Sequence, residues 1–419
     1  MKTSVLLDHE PVADGGYLVR ALLLLEADAA PDANRTPVNV SLVLDRSGSM
    51  SGVPLHAARE AAVGLVQRLA VDDVVSVVAY DDAVAVVAPP ATGDAQAHLT
   101  RQIRQIEPGG CTNLSGGWLR GRDLVAEGTR DGGVNRVVLL TDGLANAGIT
   151  DPDTLVGLCR SAAAMGITTT TVGFGSDYDE DLLRAMAEAG GGAAYYIERP
   201  DQAAGVFEEE LEGLTSIAAQ NARVEVRPGR HADFIQVVHA YPSHAEGDAL
   251  TVEVGDIYAR EPRRILMEFL LKPEADDVEM ADVGRLTVTA HVLTEGGGVE
   301  LQTVTLPIAL SPTDGGSVQP EVRREALLLE AARAREAALR ARDEGDWDAA
   351  RTILRDTARR AEALGIDDPA VREEVQDLAA MSEAFDAQAV SEADVKYMKQ
   401  RAYSTSSSRR SQLERYRRE

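Results

Sequence analysis

The sequence predicts a doubly wound α/β domain with a parallel sheet, inserted in an antiparallel β-sandwich and followed by an α-helical C-terminal domain. Three observations carry this. From Val38 to about Thr215, short apolar runs alternate with segments of helical period, as parallel strands with helices on both faces require. Between about Ile217 and Leu310 the runs alternate or stay apolar, with turn residues between them and no helical segment, as in an antiparallel sandwich. Beyond Ser317 the period is helical again, to about Tyr403. The expected divisions are residues 1–36 (first strands of the sandwich), 37–216 (α/β domain), 217–312 (the rest of the sandwich), 313–403 (helical bundle) and 404–419 (basic tail).

In chain order, Thr3 to Leu7 and Gly16 to Glu26 read as strands that precede the α/β pattern. Val38 to Leu44 reads as a buried parallel strand. Leu55, Ala58, Ala62, Leu65 and Leu69 then recur at helical spacing, with Pro54 in the first turn, where proline is tolerated. Val74 to Tyr80 and Val84 to Ala88 form a hairpin around Asp81 and Asp82, with a helix following to Ile106. Val134 to Thr141 and Thr168 to Phe174 are the next buried strands, separated by a helix that contains Cys159. A helix from Tyr178 to Ala189, a short edge strand at Tyr195 to Ile197 and a last helix from Gln202 to Leu214 close the domain. Six sandwich strands follow, at Val224 to Val226, Phe234 to His239, Leu250 to Val254, Arg264 to Leu271, Leu286 to Val292 and Leu301 to Ile308.

Leu327, Ala331, Ala334 and Ala338 keep one stripe on the first C-terminal helix, and Gly345-Asp346-Trp347 breaks it. Ala349 to Ala363, a third helix to about Met381 and a fourth from Glu392 to Tyr403 complete a bundle. The Gly-Asp-Trp turn resembles a tetratricopeptide hairpin, but a single copy is not a repeat array. The tail has a serine run and then Arg409, Arg410, Arg415, Arg417 and Arg418, and reads as a disordered solvated end. Its sharper alternative is an electrostatic latch onto an acidic partner or the protein's own surface.

The chemistry concentrates where the first buried strand stops. Asp45, Ser47 and Ser49 place a carboxylate and two alternating hydroxyls on a strand-to-helix turn, the position at which open α/β sheets bind ligands. Such an oxygen cluster suits a hard cation. Mg²⁺ prefers octahedral oxygen ligands at about 2.0–2.1 Å and retains waters, whereas a Ca²⁺ cage takes more carboxylates than two.

The D-x-S-x-S spacing resembles the metal-ion-dependent adhesion motif (MIDAS) of von Willebrand factor type A (VWA) domains, whose fold is Rossmann-like. Gly109-Gly110-Cys111-Thr112-Asn113 is similar to that family's threonine loop, and Thr141-Asp142-Gly143 to its second aspartate at a strand end. The resemblance implies Mg²⁺, with Mn²⁺ or Ca²⁺ as alternatives, at Asp45, Ser47, Ser49, Thr112 and Asp142. Ser47 and Ser49 would coordinate directly and Thr112 directly or through water, while Asp45 and Asp142 hold waters and orient hydroxyls. It places Gly48, Met50, Gly110, Asn113 and Gly143 around the ion as partner-binding positions. A carboxylate from a protein partner would complete the coordination. In related domains the last helix, here Gln202 to Leu214, shifts axially with the state of the metal. The insertion is similar to that of integrin β chains, and the architecture resembles inter-alpha-trypsin inhibitor heavy chains, calcium-activated chloride channel-like proteins and bacterial VWA proteins.

Composition narrows the function. The formal net charge of −26 argues against nucleic acid, and a bound divalent ion would invert the sign locally. Aromatic residues make up only 4% of the chain, so the cores must be built from Ala, Val and Leu. The N-terminus lacks an apolar core of signal-peptide length and no run approaches about 18 apolar residues, which makes a cytoplasmic location without a membrane span the expectation. Cys111 and Cys159 form neither a disulfide framework nor a zinc pattern, and Cys111 reads as a small buried packing residue rather than a reactive thiol.

Catalytic signals fail on inspection. Gly48 to Gly52 resembles a nucleophile elbow out of register, with Met50 at the nucleophile's place, and no histidine lies between His98 and His231 to serve as base. There is no P-loop and no G-x-G-x-x-G opening a helix. Tyr178-Asp179-Glu180-Asp181 is an acidic helix start rather than a catalytic pair. The expected function is therefore a non-enzymatic, metal-dependent interaction module or scaffold. The alternative is a substrate adaptor for a separate AAA+ ATPase of the MoxR or chelatase type.

Overall fold

The computed structural model describes residues 1–12, 15–27, 37–128, 133–175, 178–259, 261–272, 278–294, 299–311 and 318–407. The arginines of the tail lie outside the described residues.

Six strands form the central sheet: β3 (Val38–Asp45), β4 (Val74–Tyr80), β5 (Val84–Thr92), β6 (Val134–Thr141), β7 (Ile167–Phe174) and β8 (Gly191–Ile197). Their order is β5-β4-β3-β6-β7-β8, parallel except for β5, which makes the sheet mixed rather than wholly parallel. Every residue of β3, β6 and β7 is buried, so these strands show no apolar–polar alternation, and the polar residues they carry, among them Ser41, Arg136 and Thr168 to Thr171, are buried too. Helices α1 (Val53–Arg68), α2 (Gln96–Arg104) and α6 (Ala203–Thr215) cover one face, over Leu42 and Leu44. Helices α3 (Leu114–Glu127), α4 (Pro152–Ala164) and α5 (Glu180–Ala189) cover the other, over Val43 and Leu139.

The sequence reading overlooked α3 because its glycines resemble a loop. They are there for close approach: a Cβ on Gly117 would stand 2.6 Å from the Tyr80 ring, and one on Gly121 2.4 Å from Val43 Cγ2. The helix thus lies directly on β3 and β4.

Two antiparallel sheets make the sandwich. β1 (Lys2–Pro11) and β2 (Tyr17–Glu26) join β13 (Arg263–Leu271) and β10 (Ala232–Val237) in the order β1-β2-β13-β10. The second sheet runs β11-β12-β9-β14-β15, from β9 (Ile217–Pro228), β11 (Ser243–Glu246), β12 (Ala249–Tyr258), β14 (Ala281–Leu293) and β15 (Val299–Leu310). The facing sides interdigitate in one core, with Leu23, Met267 and Phe269 against Val224, Val226, Leu286 and Val288. β2 pairs with β13 from Tyr17↔Leu271 to Leu25↔Arg263, so the α/β domain sits between strands that belong to one sandwich. β11 escaped the sequence reading because all four of its residues are exposed and only its pairing with β12 defines it.

The C-terminal helices are α7 (Pro320–Asp343), α8 (Trp347–Ala363), α9 (Pro369–Asp386) and α10 (Glu392–Ser406). Asp346, Asp368 and Ser391 cap the last three by accepting backbone N–H groups, and Arg335 is buried among them with Glu374 and Asp377. α10 continues through Ser406, three residues into the segment expected to be tail. α7 rests on the first sheet through Val322 and Leu329 against Leu22 and Leu266, with Arg323 3.3 Å from Asp8. No helix among the described residues is long and apolar enough to cross a membrane.

Candidate metal centre

The site forms at the carboxyl ends of β3 and β6. β3 delivers Asp45, a turn of one 3-10 helix at Gly48–Met50 carries Ser47 and Ser49, and β6 delivers Thr141 and Asp142. Asp45 is fully buried and accepts from the Ser47 N–H at 2.8 Å and the Thr141 hydroxyl at 2.6 Å. Burial pushes its carboxyl above the usual range, against the lowering effect of those hydrogen bonds. Ser47 Oγ lies 3.1 Å from Ser49 Oγ, and the Ser49 hydroxyl donates to Asp142 Oδ1 at 2.8 Å.

Thr112 arrives on a separate loop. Gly109 N–H donates to Arg46 O at 2.7 Å and Gly48 N–H to Gly110 O at 2.9 Å, which staples this loop to the serine turn. A Cβ on Gly109 would fall 1.6 Å from Asp81 Oδ2, so only glycine lets the loop lie against the β4–β5 turn. Thr112 N–H donates to Asn146 Oδ1 at 2.8 Å. Its Oγ1 and Ser49 Oγ lie 3.5 and 3.9 Å from where a Cβ on Gly143 would stand, so both hydroxyls face one rim.

The five candidate ligands therefore converge, although Thr112 and Asp142 are 67 and 97 positions from Asp45 (112 − 45 and 142 − 45). Octahedral coordination at about 2.0–2.1 Å sets neighbouring ligand oxygens about 2.9 Å apart. The 3.1 Å between Ser47 Oγ and Ser49 Oγ is close to that edge, Asp142 is hydrogen-bonded to the Ser49 hydroxyl where it can orient it, and the donor set is all oxygen. Among the described residues no cluster of three or more His, Cys, Asp or Glu side chains offers a rival metal site.

The surrounding positions divide. Gly48 and Gly110 are exposed and Gly143 is half-buried, all on the rim. Met50 is fully buried in the core beneath the turn, so it anchors the serines and has no surface for a partner. The Asn113 side chain caps α3, accepting from Gly116 N–H at 2.9 Å. Cys111 is exposed, contrary to the packing role read from sequence, because its loop is held by backbone hydrogen bonds on either side of it. Cys159 is buried, and burial raises its thiol to about 12. Leu144, exposed beside Gly143, was not singled out in the sequence.

A second polar cluster lies near the opposite end of the sheet. Arg136 of β6, fully buried, sits 3.0 Å from Glu210 of α6 and 2.6 Å from Asp256 of β12. Its Nε also donates to Thr168 Oγ1 at 2.9 Å. One guanidinium thus ties sheet, last helix and sandwich together. Nothing local in the sequence marks it, since its carboxylate partners are 74 and 120 residues away.

Residues 39–209 match the family model of the von Willebrand factor type A domain. An uncharacterized protein of Synechocystis sp., sll0103, is 30% identical over 262 residues, 60% of this chain and 62% of its own length. Inter-alpha-trypsin inhibitor heavy chain H1 of Sus scrofa is 29% identical over 227 residues, 51% of this chain and 24% of its own. The matches thus span less than two thirds of these relatives. Among solved structures, a von Willebrand factor type A protein from Catenulispora acidiphila aligns with TM-score 0.69 and 20% identity, covering 95% of this chain and 89% of that one. The ArnB paralog VWA2 from Sulfolobus acidocaldarius aligns with TM-score 0.58 and 16% identity, covering 97% of each chain. At these identities the likeness speaks for the fold.

Proposed function

Starting from a chain that carries a von Willebrand factor type A domain, a protein-interaction fold, we propose that this protein captures an acidic side chain of another protein through a Mg²⁺ ion held at Asp45, Ser47, Ser49, Thr112 and Asp142. The observation that carries the reading is the pair of hydroxyls, Ser47 Oγ and Ser49 Oγ, 3.1 Å apart at the end of a buried strand, with the Ser49 hydroxyl held by Asp142 at 2.8 Å. A bound Mg²⁺ supplies an electrophilic centre with an exchangeable position for a carboxylate. The chain's own residues do the rest. The Asp45 carboxylate, fixed by Thr141 and the Ser47 N–H, keeps the serine turn in place. Three neutral hydroxyls leave the ion's charge largely unspent, and the strongly acidic surface makes carboxylate capture depend on that ion.

Titration calorimetry with Mg²⁺ or Mn²⁺ tests the site. Asp45→Ala is expected to abolish binding, whereas Thr112→Ala spares the metal more than it spares partner capture. Unchanged metal affinity in Asp45→Ala sinks the assignment. A pull-down run with Mg²⁺ and again with EDTA tests capture, which is expected to disappear with the chelator.

A further inference from the structure

The last helix of the bundle docks on the VWA domain through two lysines one turn apart. Lys396 Nζ lies 4.5 Å from the centre of the Tyr178 ring and 5.5 Å from that of Tyr196, the two rings being 5.9 Å apart. Lys399 Nζ lies 2.9 Å from Glu180 Oε1 and 3.1 Å from Asp181 Oδ2, at the start of α5. An ammonium over aromatic faces and an ion pair beside it form a specific seat for a lysine-bearing helix.

This seat is joined to the metal centre by direct contacts. The Tyr178 ring lies on Gly173, with ring carbons 2.3 Å from where a Cβ there would stand. Gly173 of β7 is paired in register with Thr141 of β6, and the Thr141 hydroxyl holds Asp45 at 2.6 Å. Lysine, tyrosine, glycine, threonine and aspartate thus make one packed path.

We propose that α10 is a built-in ligand of the VWA domain whose docking supports metal binding: seated lysines press Tyr178 onto β7 and hold Thr141 where it orients Asp45. The coupling rests on the metal-site reading above, and linkage makes it reciprocal. Metal at the rim tightens α10, and loss of α10 weakens the metal.

The full chain tests this by Mg²⁺ calorimetry on two charge-altering pairs. K396A/K399A removes the lysines, and E180Q/D181N empties the acidic half of the seat without touching α10. Long-range electrostatics alone predicts opposite effects, because the first pair makes the protein more negative and the second less so. The latch predicts that both weaken Mg²⁺ by about five-fold or more, the lower end of usual coupling, and that K396R stays near the parent. Amide exchange across residues 392–406 should slow when Mg²⁺ saturates the parent. Circular dichroism shows which pair is folded. Weakening in folded K396A/K399A supports the latch, since electrostatics alone would strengthen Mg²⁺ binding there. In E180Q/D181N, where electrostatics also weakens it, the latch additionally requires faster amide exchange across residues 392–406. Parent-like affinity in a folded pair, or opposite shifts in the two, overturns the latch and leaves the metal site standing. A parent chain that binds no Mg²⁺ overturns both.

Discussion

Asp45 pays for its position: a carboxylate removed from water with neutral donors around it is held above its ordinary value of 3.8. A raised carboxyl pKa means the folded state prefers the proton, so the stability it lends is present at low pH and lost as pH rises through the carboxylate range. At neutral pH the domain without a metal therefore carries a cost that a divalent ion held at the proposed site would offset. Asp45→Asn removes that cost. Its metal-free thermal midpoint is expected at or above the parent's, while saturating Mg²⁺ raises only the parent's, by the equivalent of about 2.7 kcal/mol at 100 times Kd. A Mg²⁺-dependent rise of similar size in Asp45→Asn would contradict this account. At Arg136 the expectation is reversed. Arg136→Met takes the counter-charge from the buried Glu210 and Asp256 and should cost about 3–5 kcal/mol in urea unfolding, with Mg²⁺ affinity changed far less. Of these two residues only Asp45 was legible in the sequence, because its motif is local whereas the partners of Arg136 come from elsewhere in the fold.

Among the elements, buried strands announced themselves and glycine-rich helices did not. β3, β6 and β7 are buried on both faces by helices, and their β-branched and aliphatic residues, without polar alternation, are the pattern a reader can see, even where Thr168 to Thr171 or Arg136 interrupt it. α3 hides because its glycines answer to Tyr80 and Val43, residues on other strands. The same reasoning gives a prediction: Gly121→Ala forces α3 off β3 and should destabilise the domain by about 1–3 kcal/mol, measured by denaturant midpoint. The seat of α7 supplies a pH test. Burial alone would raise the Glu325 carboxyl, but His239, its Nε2 3.3 Å away, and the charges of Arg264 and Arg324 outweigh burial and hold it below 4.5. A lowered carboxyl pKa contributes stability that is complete above the ordinary glutamate value and fades as pH falls through the folded one. The thermal midpoint should accordingly drop below about pH 4.5, and less steeply in Glu325→Gln. Equal slopes for parent and variant would remove Glu325 from the explanation.

For the whole molecule, the order of elements was readable and the contacts among its parts were not. The change from helical to alternating period marks where the sandwich resumes, yet nothing in the sequence shows that α10 reaches back to Tyr178 or that Asp256 reaches Arg136. Such contacts depend on chirality and packing across more than a hundred residues. The insertion also has a mechanical side. The chain enters the VWA domain at the start of β3 and leaves it after α6, where Ser216 O accepts from Ala259 N–H at 2.7 Å and Ala27 bridges to Ala259. The rim that holds Ser49 and Thr112 lies at the other end of β3. Tension on a captured partner would therefore run lengthwise along the central strand into two neighbouring tethers, with the Arg136 ion pairs loaded beside them, and a pulling experiment should find the sandwich junction yielding before the sheet unravels.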